Sequence, residues 1–310
     1  MAAWVVIVVL LGAAIALSLG VGPAQLSGAD LRAVLALRGL RLLLGILAGG
    51  VLAMVGASLQ GLLRNPLVDP FTLGVASGAA LGAAVTMALG GASSVMLPLG
   101  GFIGAGVTIL LVYLLARVRG RITATGLVLA GGIVSFLCSS LVMLVMILGR
   151  RTLGEAVYMM MGYLGTVFTT RSLWLLGGAG VVVLIGCGVL LSYARTLDIM
   201  AAGEEPAETL GVNTQRTTQV IFLVSSVLVG LVVAFTGAIS FVGLVVPHLA
   251  RLALGPGHRR LLPASFLLGA AMLLVSDVVA RNVVPGGLPL SVVTALIGVP
   301  FFIYLLRWRL

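Results

Sequence analysis

Ten apolar runs follow one another along this chain of 310 residues and leave little room for anything else. A helix that crosses the hydrocarbon of a bilayer needs about 20 mainly apolar residues. Runs near that length fall at about 4–20, 42–61, 71–90, 95–116, 124–148, 172–192, 218–238, 239–254, 262–280 and 288–307. Charged residues make up 8% of the chain and hydrophobic residues 61%, which excludes an ordinary soluble domain. We therefore predict an all-α, polytopic membrane protein with one transmembrane domain over residues 1–310.

The count of ten crossings depends on the weak third and eighth runs. The stretch from Thr218 to Leu254 has a single charge, Arg251, and is too long for one crossing. We divide it near Gly237-Ala238. Ten crossings place both termini on the same side, and assigning that side to the cytoplasm puts eleven arginines inside and seven outside. This excess agrees with the positive-inside rule.

The basic residues of the chain are all arginine, and lysine is absent. A P-loop uses its lysine to reach the terminal phosphates of a nucleotide, so ATP that drives this chain would be bound by another subunit. The net charge of +10 is spread singly or in short groups between apolar runs, which argues against nucleic-acid binding. Cys138 and Cys187 lie in apolar runs as small hydrophobic residues. No cluster has metal-ligand spacing, and we predict no cofactor or metal on this chain.

A polar, proline-containing segment from Gly56 to Ala84 interrupts the apolar pattern. Irregular backbone at membrane depth is tolerated only where it is buried in protein or lines a wet cavity. This segment is therefore a candidate wall of a transport pathway. Our candidate pathway residues are Gln60, Asn65, Pro66, Gly74, Ser77, Gly78, Pro247 and His248. For His248, a packed histidine without a pathway role is the alternative.

An internal repeat appears when the chain is shifted by 181 residues. The aligned pairs include Gly49 with Gly230, Gly56-Ala57 with Gly237-Ala238, Pro66 with Pro247, and Leu73-Gly74 with Leu254-Gly255. The matched helices are the second and the seventh, so helices 2–5 and 7–10 would have opposite orientations. Inverted repeats with broken helices are typical of alternating-access transporters.

The segment at about 195–217, between the sixth and seventh runs, contains four of the eight acidic residues. Leu197, Met200, Ala201 and Leu210 could form the apolar faces of two short helices, with a turn at Gly203 and an end at Gly211. We predict a docking element, and a solvated connector is the alternative. The candidate coupling residues are Met200, Ala202, Gly203, Glu204, Glu205, Leu210 and Gly211.

Ordered blocks of sequence carry a family resemblance. They are Arg41–Gln60, Arg64–Pro70, Leu73–Ala79, Ala202–Glu204, Leu210–Val212, Gly237–His248, His258–Pro263, Asp277–Arg281, Leu288-Pro289 and Thr294–Gly298. In these blocks, from about residue 31 to 309, the chain resembles the permease subunits of ABC importers for iron–siderophores, haem and cobalamin (the FecCD family). It departs from the family at Arg38-Gly39-Leu40-Arg41, where a proline is missing, and at Gly287, where a glutamate is usual.

The resemblance implies a homodimer of ten-helix permeases in the cytoplasmic (inner) membrane of a bacterium or archaeon. Two separate ATP-binding-cassette ATPase subunits would bind ATP and Mg, and an extracytoplasmic binding protein would deliver the cargo. That cargo would be a metal chelate, with a ferric siderophore favoured over haem or cobalamin.

The resemblance also implies roles for particular residues. Arg38, Arg41 and Arg281 would pair with glutamates of the binding protein, and snorkelling to lipid phosphate is the alternative. Thr123, Ala124 and Thr125 would form the cytoplasmic gate, and helix capping by either threonine is the alternative.

Three other classes fit the composition less well. An ion-coupled secondary transporter usually has an acid in mid-span, whereas we place Asp69, Glu155, Asp198 and Asp277 at or beyond span ends. A permease of the manganese/zinc group would carry bare ions, and cargo size separates it from a chelate permease. A membrane enzyme would need paired acids or a serine–lysine pair, which the sequence does not offer.

Overall fold

The computed structural model describes residues 1–22, 31–91, 93–118, 121–149, 161–165, 169–284 and 287–308. Helices dominate these residues. They are α1 (Ala2–Gly20), α2 (Leu31–Leu62), α3 (Val75–Ala88), α4 (Met96–Ala116), α5 (Ala124–Leu148), α6 (Thr170–Ser192), α7 (Ala194–Met200), α8 (Glu204–Thr209), α9 (Thr214–Thr236), α10 (Val242–Leu254), α11 (His258–Val283) and α12 (Leu290–Trp308). A 3-10 helix at Pro70–Leu73 precedes α3, and a short antiparallel ribbon of β1 (Arg117–Val118) and β2 (Arg121–Ile122) joins α4 to α5. The predicted all-α fold is confirmed, with this ribbon as its one β element among the described residues.

Seven of the described helices are long and apolar enough to cross a membrane. Their qualifying segments are Ala2–Gly20, Val34–Leu62, Met96–Ala116, Thr125–Leu148, Arg171–Ser192, Thr214–Thr236 and His258–Val283. Three shorter apolar helices, α3, α10 and α12, lie where the third, eighth and tenth runs were predicted. A multi-pass membrane protein is thereby confirmed, and ten crossings stay a prediction.

Helices α2 and α11 form the most extensive helix contact among the described elements. A Cβ added to Gly49 would overlap the carbonyl oxygen of Gly269, and the reverse also holds. Small residues allow such close backbone approach in membranes. Gly45 faces Leu274 and Gly61 faces His258, so the two helices are antiparallel.

This α2–α11 pair defines two ends of the molecule. From Arg41 to Gly61 the pair extends about 30 Å at 1.5 Å per residue, which matches the thickness of the hydrocarbon. We call the end with Arg38, Arg41 and Arg281 the arginine end. The opposite end, with residues 195–217, is the loop end.

The break between α9 and α10 lies where the sequence predicted it. Helix α9 ends at Thr236 and α10 begins at Val242. Gly237 has φ +70°, and Phe241 also adopts a left-handed conformation with φ +69°. A non-glycine residue in that region is uncommon and requires support from its surroundings. The Phe241 ring packs tightly against Gly298, which has no side chain to obstruct it.

The shift of 181 residues does not align equivalent elements from Gly56 and Gly237 onward, because Gly56 lies inside α2 whereas Gly237 follows the end of α9. Pro66 lies in the segment that connects α2 to the 3-10 helix, whereas Pro247 lies inside α10. Leu73-Gly74 precedes α3, but Leu254-Gly255 ends α10. The reason is that the connection from Leu62 to Val75 is longer than that from Thr236 to Val242, so one shift cannot align both. A repeat of helices 2–5 and 7–10 stays a prediction.

Candidate functional site

A buried ion pair occupies the arginine end. Arg41 donates through Nε to both Asp277 oxygens at 2.9 Å and through Nη2 to Oδ1 at 2.7 Å. Asp277 is 0% exposed, and the Arg41 guanidinium carbon lies 5.4 Å from the centre of the Tyr163 ring. The planar fork of a guanidinium matches a carboxylate in this way, and it also favours an aromatic face. The pair ties α2 to α11.

The other two predicted docking arginines close the C-terminus of α1. Arg38 donates to the carbonyl oxygen of Leu19 and, at 3.2 Å, to that of Gly20. Arg281 donates to the carbonyl oxygen of Ser18 at 2.7 Å. The last carbonyls of a helix have no intrahelical donors, and positive charge there is favourable. The two arginines therefore hold α1 against the α2–α11 pair.

The structure thus brings the three predicted docking arginines together but also gives each of them a partner within the chain. Arg38 is 6% exposed, and the side chains of Arg281 and Arg41 are 8% and 20% exposed. A docking protein would have to share or exchange these contacts, and docking stays a prediction. Sequence reasoning missed Asp277 as the partner of Arg41 and Arg281. The available signal was its spacing of four residues from Arg281, which places both on one helix face.

The loop end contains the two short helices that the sequence predicted, α7 and α8. Gly203 has φ +127° and Gly211 has φ +83°, conformations that glycine adopts without a steric penalty. The predicted turn and end are therefore confirmed at these two residues.

The apolar side chains of this segment divide between two faces. Leu197, Met200 and Ala207 are at most 2% exposed, because they pack within this chain. Leu210 is 71% exposed. The surface of the segment also includes Ala202, Glu204, Glu205 and Gly211. Met200 therefore packs within the permease, and coupling through the predicted residues stays a prediction.

Polar contacts attach this segment to the α2–α11 pair. Oδ1 of Asp198 accepts from the backbone N–H of His258 at 2.8 Å and lies 2.6 Å from its Nδ1. An Nη2 of Arg64 lies 3.7 Å from Glu204, with both side chains about half exposed. Arg64 has φ +51°, so the chain turns sharply as it leaves α2.

Gln60 of α2 connects this helix to the segment that follows it and to α10. Its Nε2 donates to the carbonyl oxygens of Val68 and Gly243 at 3.2 Å, and its Oε1 accepts from Arg251 at 2.5 Å. The side chain is buried, and it satisfies the carbonyl of the non-helical residue Val68 and that of Gly243, which has no donor four residues later because that residue is Pro247. It was predicted as a pathway residue, and its contacts here are those of a structural brace.

The remaining pathway candidates have local partners. Asn65 accepts from the backbone N–H of Leu67 at 2.9 Å, and Ser77 donates to the carbonyl oxygen of Gly74 at 2.8 Å. Gly78 allows α3 to approach Thr108 of α4. The others divide by exposure: Pro66 is exposed, Gly74 and Pro247 are buried, and His248 is half-buried.

Two of these candidates have a distinctive local geometry. Gly74, the residue before α3, has φ +77°, which glycine adopts without a steric penalty. His248 meets Phe301 edge-on, with ring centres 6.0 Å apart. A role for these residues along a pathway stays a prediction.

The predicted gate begins α5. Thr123 accepts from the backbone N–H of Gly126 at 3.0 Å, so it caps the helix, and Thr125 is exposed. The capping alternative is thereby confirmed for Thr123. The side chain of Ala124 lies outside the described residues. Gating stays a prediction.

The structure places the gate beside the coupling segment. The backbone N–H of Ile122 donates to Oε1 of Gln215 at 3.3 Å. A cavity of about 500 Å³ lies between the gate and the coupling segment, and its lining includes Thr123, Glu204 and Gly211. Two groups of residues that the sequence assigned separately thus share one cavity at the loop end.

Comparisons with known proteins identify the family of this chain. The FecCD transport family model matches residues 2–308. The chain is 42% identical over 270 residues to the cobalamin import system permease protein BtuC of Halobacterium salinarum, covering 87% of this chain and 72% of that protein. It is 37% identical to the hemin transport system permease protein HmuU of Yersinia pestis, covering 86% and 80% of the two chains. It is also 37% identical to the ferric enterobactin transport system permease protein FepD of Escherichia coli, covering 90% and 83%.

Solved structures give the same result. A transporter assigned to the metal-chelate ABC type, in an inward-facing conformation, matches with a TM-score of 0.85 and 34% identity, covering 98% of this chain and 97% of that one. PsaBC from Streptococcus pneumoniae, in complex with Fab, matches with a TM-score of 0.62 at 17% identity over 86% of this chain and 90% of that one, which shows a shared fold alone. The chain therefore belongs to the FecCD transport family and is the permease subunit of an ABC importer.

Proposed function

We propose that this permease carries a metal chelate across the cytoplasmic membrane as a homodimer, with two separate ATPase subunits at the loop end and a binding protein at the arginine end. The observation that carries the proposal is the separation of the two candidate sites. They lie at opposite ends of the α2–α11 pair, about 30 Å apart by helix rise, which is the thickness of the hydrocarbon. Each partner thus has its own face of the membrane.

The proposed orientation places the loop end in the cytoplasm, because ATP is there. Helix α1 starts at Ala2 and ends beside Arg38 at the arginine end. Helix α12 starts near Gly162, and its Phe301 contacts His248 of α10 further along. This course supports placing both termini on the cytoplasmic side.

The proposed cargo is the class that the relatives share. Their names refer to cobalamin, hemin and ferric enterobactin, all of them large metal chelates. The absence of lysine supports a separate ATPase, because the chain has no P-loop of its own. In this scheme ATP binding and hydrolysis move the exposed surface around Leu210, and alternating access follows from the gate that shares its cavity.

A reconstitution experiment tests this proposal. The permease is produced with its ATPase and binding protein and placed in lipid nanodiscs. The binding protein is offered cyanocobalamin, haemin and a ferric siderophore in turn. We expect one chelate to bind and to stimulate ATP hydrolysis by the assembled complex. Failure of the ATPase to assemble on the permease, or hydrolysis that no chelate-loaded binding protein changes, would contradict the proposal.

A further inference from the structure

A single carboxylate joins the coupling segment to the start of α11. Asp198 lies on α7, and its Oδ1 accepts from the backbone N–H of His258 and contacts the imidazole of the same residue. His258 is the first residue of α11, where backbone N–H groups have no acceptor within the helix. Asp198 therefore caps α11 from another helix, and its negative charge suits that position.

The imidazole is held on its other side by α2. His258 is 4% exposed, and a Cβ on Gly61 would overlap its Nε2. Among the residues that the structure describes, Arg251 of α10 also acts electrostatically on the ring, together with Asp198. The histidine thus lies between α7 and the end of α2 and contacts both.

The helix that begins at this contact reaches the opposite end of the molecule. Helix α11 runs without a break from His258 to Val283, and it contains Asp277 and Arg281 of the arginine end. Gly45, Gly49, Gly50 and Gly61 of α2 contact α11 along this length. A cavity of about 620 Å³, lined in part by Arg64, Asp198 and His258, gives the loop end room to move.

We propose that Asp198 and His258 are positioning residues that form a latch. Through this latch the movement of residues 195–217 reaches the α2–α11 pair and, through it, the arginine end. The inference rests on the proposed function, since it needs an ATPase that moves the segment. It assigns to Asp198 and His258 a role in transmission between the two partners and none in contacting cargo or nucleotide.

The test uses the complete complex in nanodiscs and compares basal ATP hydrolysis with hydrolysis stimulated by the loaded binding protein. The probe is whichever of cyanocobalamin, haemin or ferric siderophore stimulates the wild type. For Asp198→Leu and His258→Ala we expect assembly and basal hydrolysis to persist. Stimulation should fall by roughly fivefold or more, at the lower end of usual coupling between sites. Arg259→Ala changes an exposed side chain next to His258 on α11, outside residues 195–217, and should leave stimulation unchanged.

A conservative variant separates a latch from simple space filling. Asp198→Asn keeps an acceptor oxygen for the N–H groups of His258 and should retain most of the stimulation. Asp198→Leu has a similar volume but no acceptor, so equal behaviour of the two variants would overturn the proposal.

A cross-link covers the case in which a single variant fails to assemble. In a Cys138→Ser/Cys187→Ser background, Asp198→Cys and His258→Cys are joined by a short thiol-reactive cross-linker. The link replaces the hydrogen bonds, so it should restore stimulation relative to the unlinked protein. No recovery on linking overturns the latch. A wild-type complex that is never stimulated refutes the proposed function instead.

Discussion

The two ends of the α2–α11 pair are held by polar contacts of different character. At the arginine end, Asp277 is fully buried and accepts hydrogen bonds from both Nε and Nη2 of Arg41. At the loop end, the side chain of Asp198 is 40% exposed and the Arg64–Glu204 pair is about half exposed. Removing one partner of a buried pair costs about 3–5 kcal/mol, whereas an exposed pair contributes about 0–1 kcal/mol.

This difference indicates that the two ends of the α2–α11 pair have different roles. The arginine end is fixed by charges that water does not screen, so it can present a defined surface. The loop end is attached by contacts that cost little to change, as expected where a partner pushes. The predictions below test that contrast.

Asp277→Ala should have the largest effect. It leaves the buried Arg41 without its carboxylate and removes the neighbour of Arg281, so the free energy of unfolding should fall by about 3–5 kcal/mol. Denaturation of the purified permease in detergent measures this. The matched variant Asp198→Ala should lower the free energy of unfolding much less. Equal decreases for the two variants would remove the contrast between the two ends.

Gly49→Ala should have the next largest effect. The added methyl group would overlap the backbone of Gly269, and overpacking of this kind costs about 1–3 kcal/mol. Gly39 lies in the same helix with open space around it, so Gly39→Ala should be neutral or slightly stabilising. The same denaturation assay compares the two variants, and a harmless Gly49→Ala would contradict the close approach of α2 and α11.

A charge exchange at the arginine end tests docking separately from stability. Arg41→Asp with Asp277→Arg keeps a pair between α2 and α11 but moves the positive charge to the other helix. If Arg41 attracts an acidic partner, association with the binding protein should slow by about tenfold at low salt, and less at high salt. Stopped-flow association measures the rate, with the exposed Arg171→Glu as the control. If the Arg41→Asp/Asp277→Arg variant associates with the binding protein as fast as the wild type, Arg41 has a structural role and no docking role.

Gly211→Val tests the turn that ends α8. Valine at φ +83° is penalised by about 1 kcal/mol or more, while the position itself is open and exposed. We expect a permease that folds and inserts but loses stimulated ATP hydrolysis, and Leu210→Asp should behave alike. Full stimulation in both variants would show that this surface does not receive the ATPase.

Arg64→Ala should have the smallest effect. Its pair with Glu204 is exposed, so the loss should be about 0.2–1 kcal/mol and should shrink as salt is added. Thermal unfolding at low and high salt measures it. A loss as large as that of Asp277→Ala would mean that the loop end is as firmly fixed as the arginine end.

Sequence reasoning succeeded where a local pattern decides the structure. Apolar run lengths predicted the helices, and glycines predicted both the break near Gly237 and the turns at Gly203 and Gly211. The α9–α10 break could be found because a run from Thr218 to Leu254 is too long for a single crossing.

It failed where the outcome depends on which helices meet. Asp277 and Arg41 are 236 positions apart, and Asp198 and His258 are 60 positions apart, so no local spacing predicts either pair. The sequence also did not show that Met200 packs within the permease, because the apolar side of a short helix can pack against its own chain or against a partner. The periodicity alone does not distinguish these two cases.

The most direct test of the account is uptake into proteoliposomes that contain the permease and its ATPase, with the loaded binding protein on the arginine side. Energy is supplied either as ATP on the loop side with all ion gradients collapsed, or as an ion gradient without ATP. The account predicts chelate uptake with ATP alone and none with a gradient alone. Uptake driven by the gradient in the absence of ATP would contradict it and would identify an ion-coupled transporter.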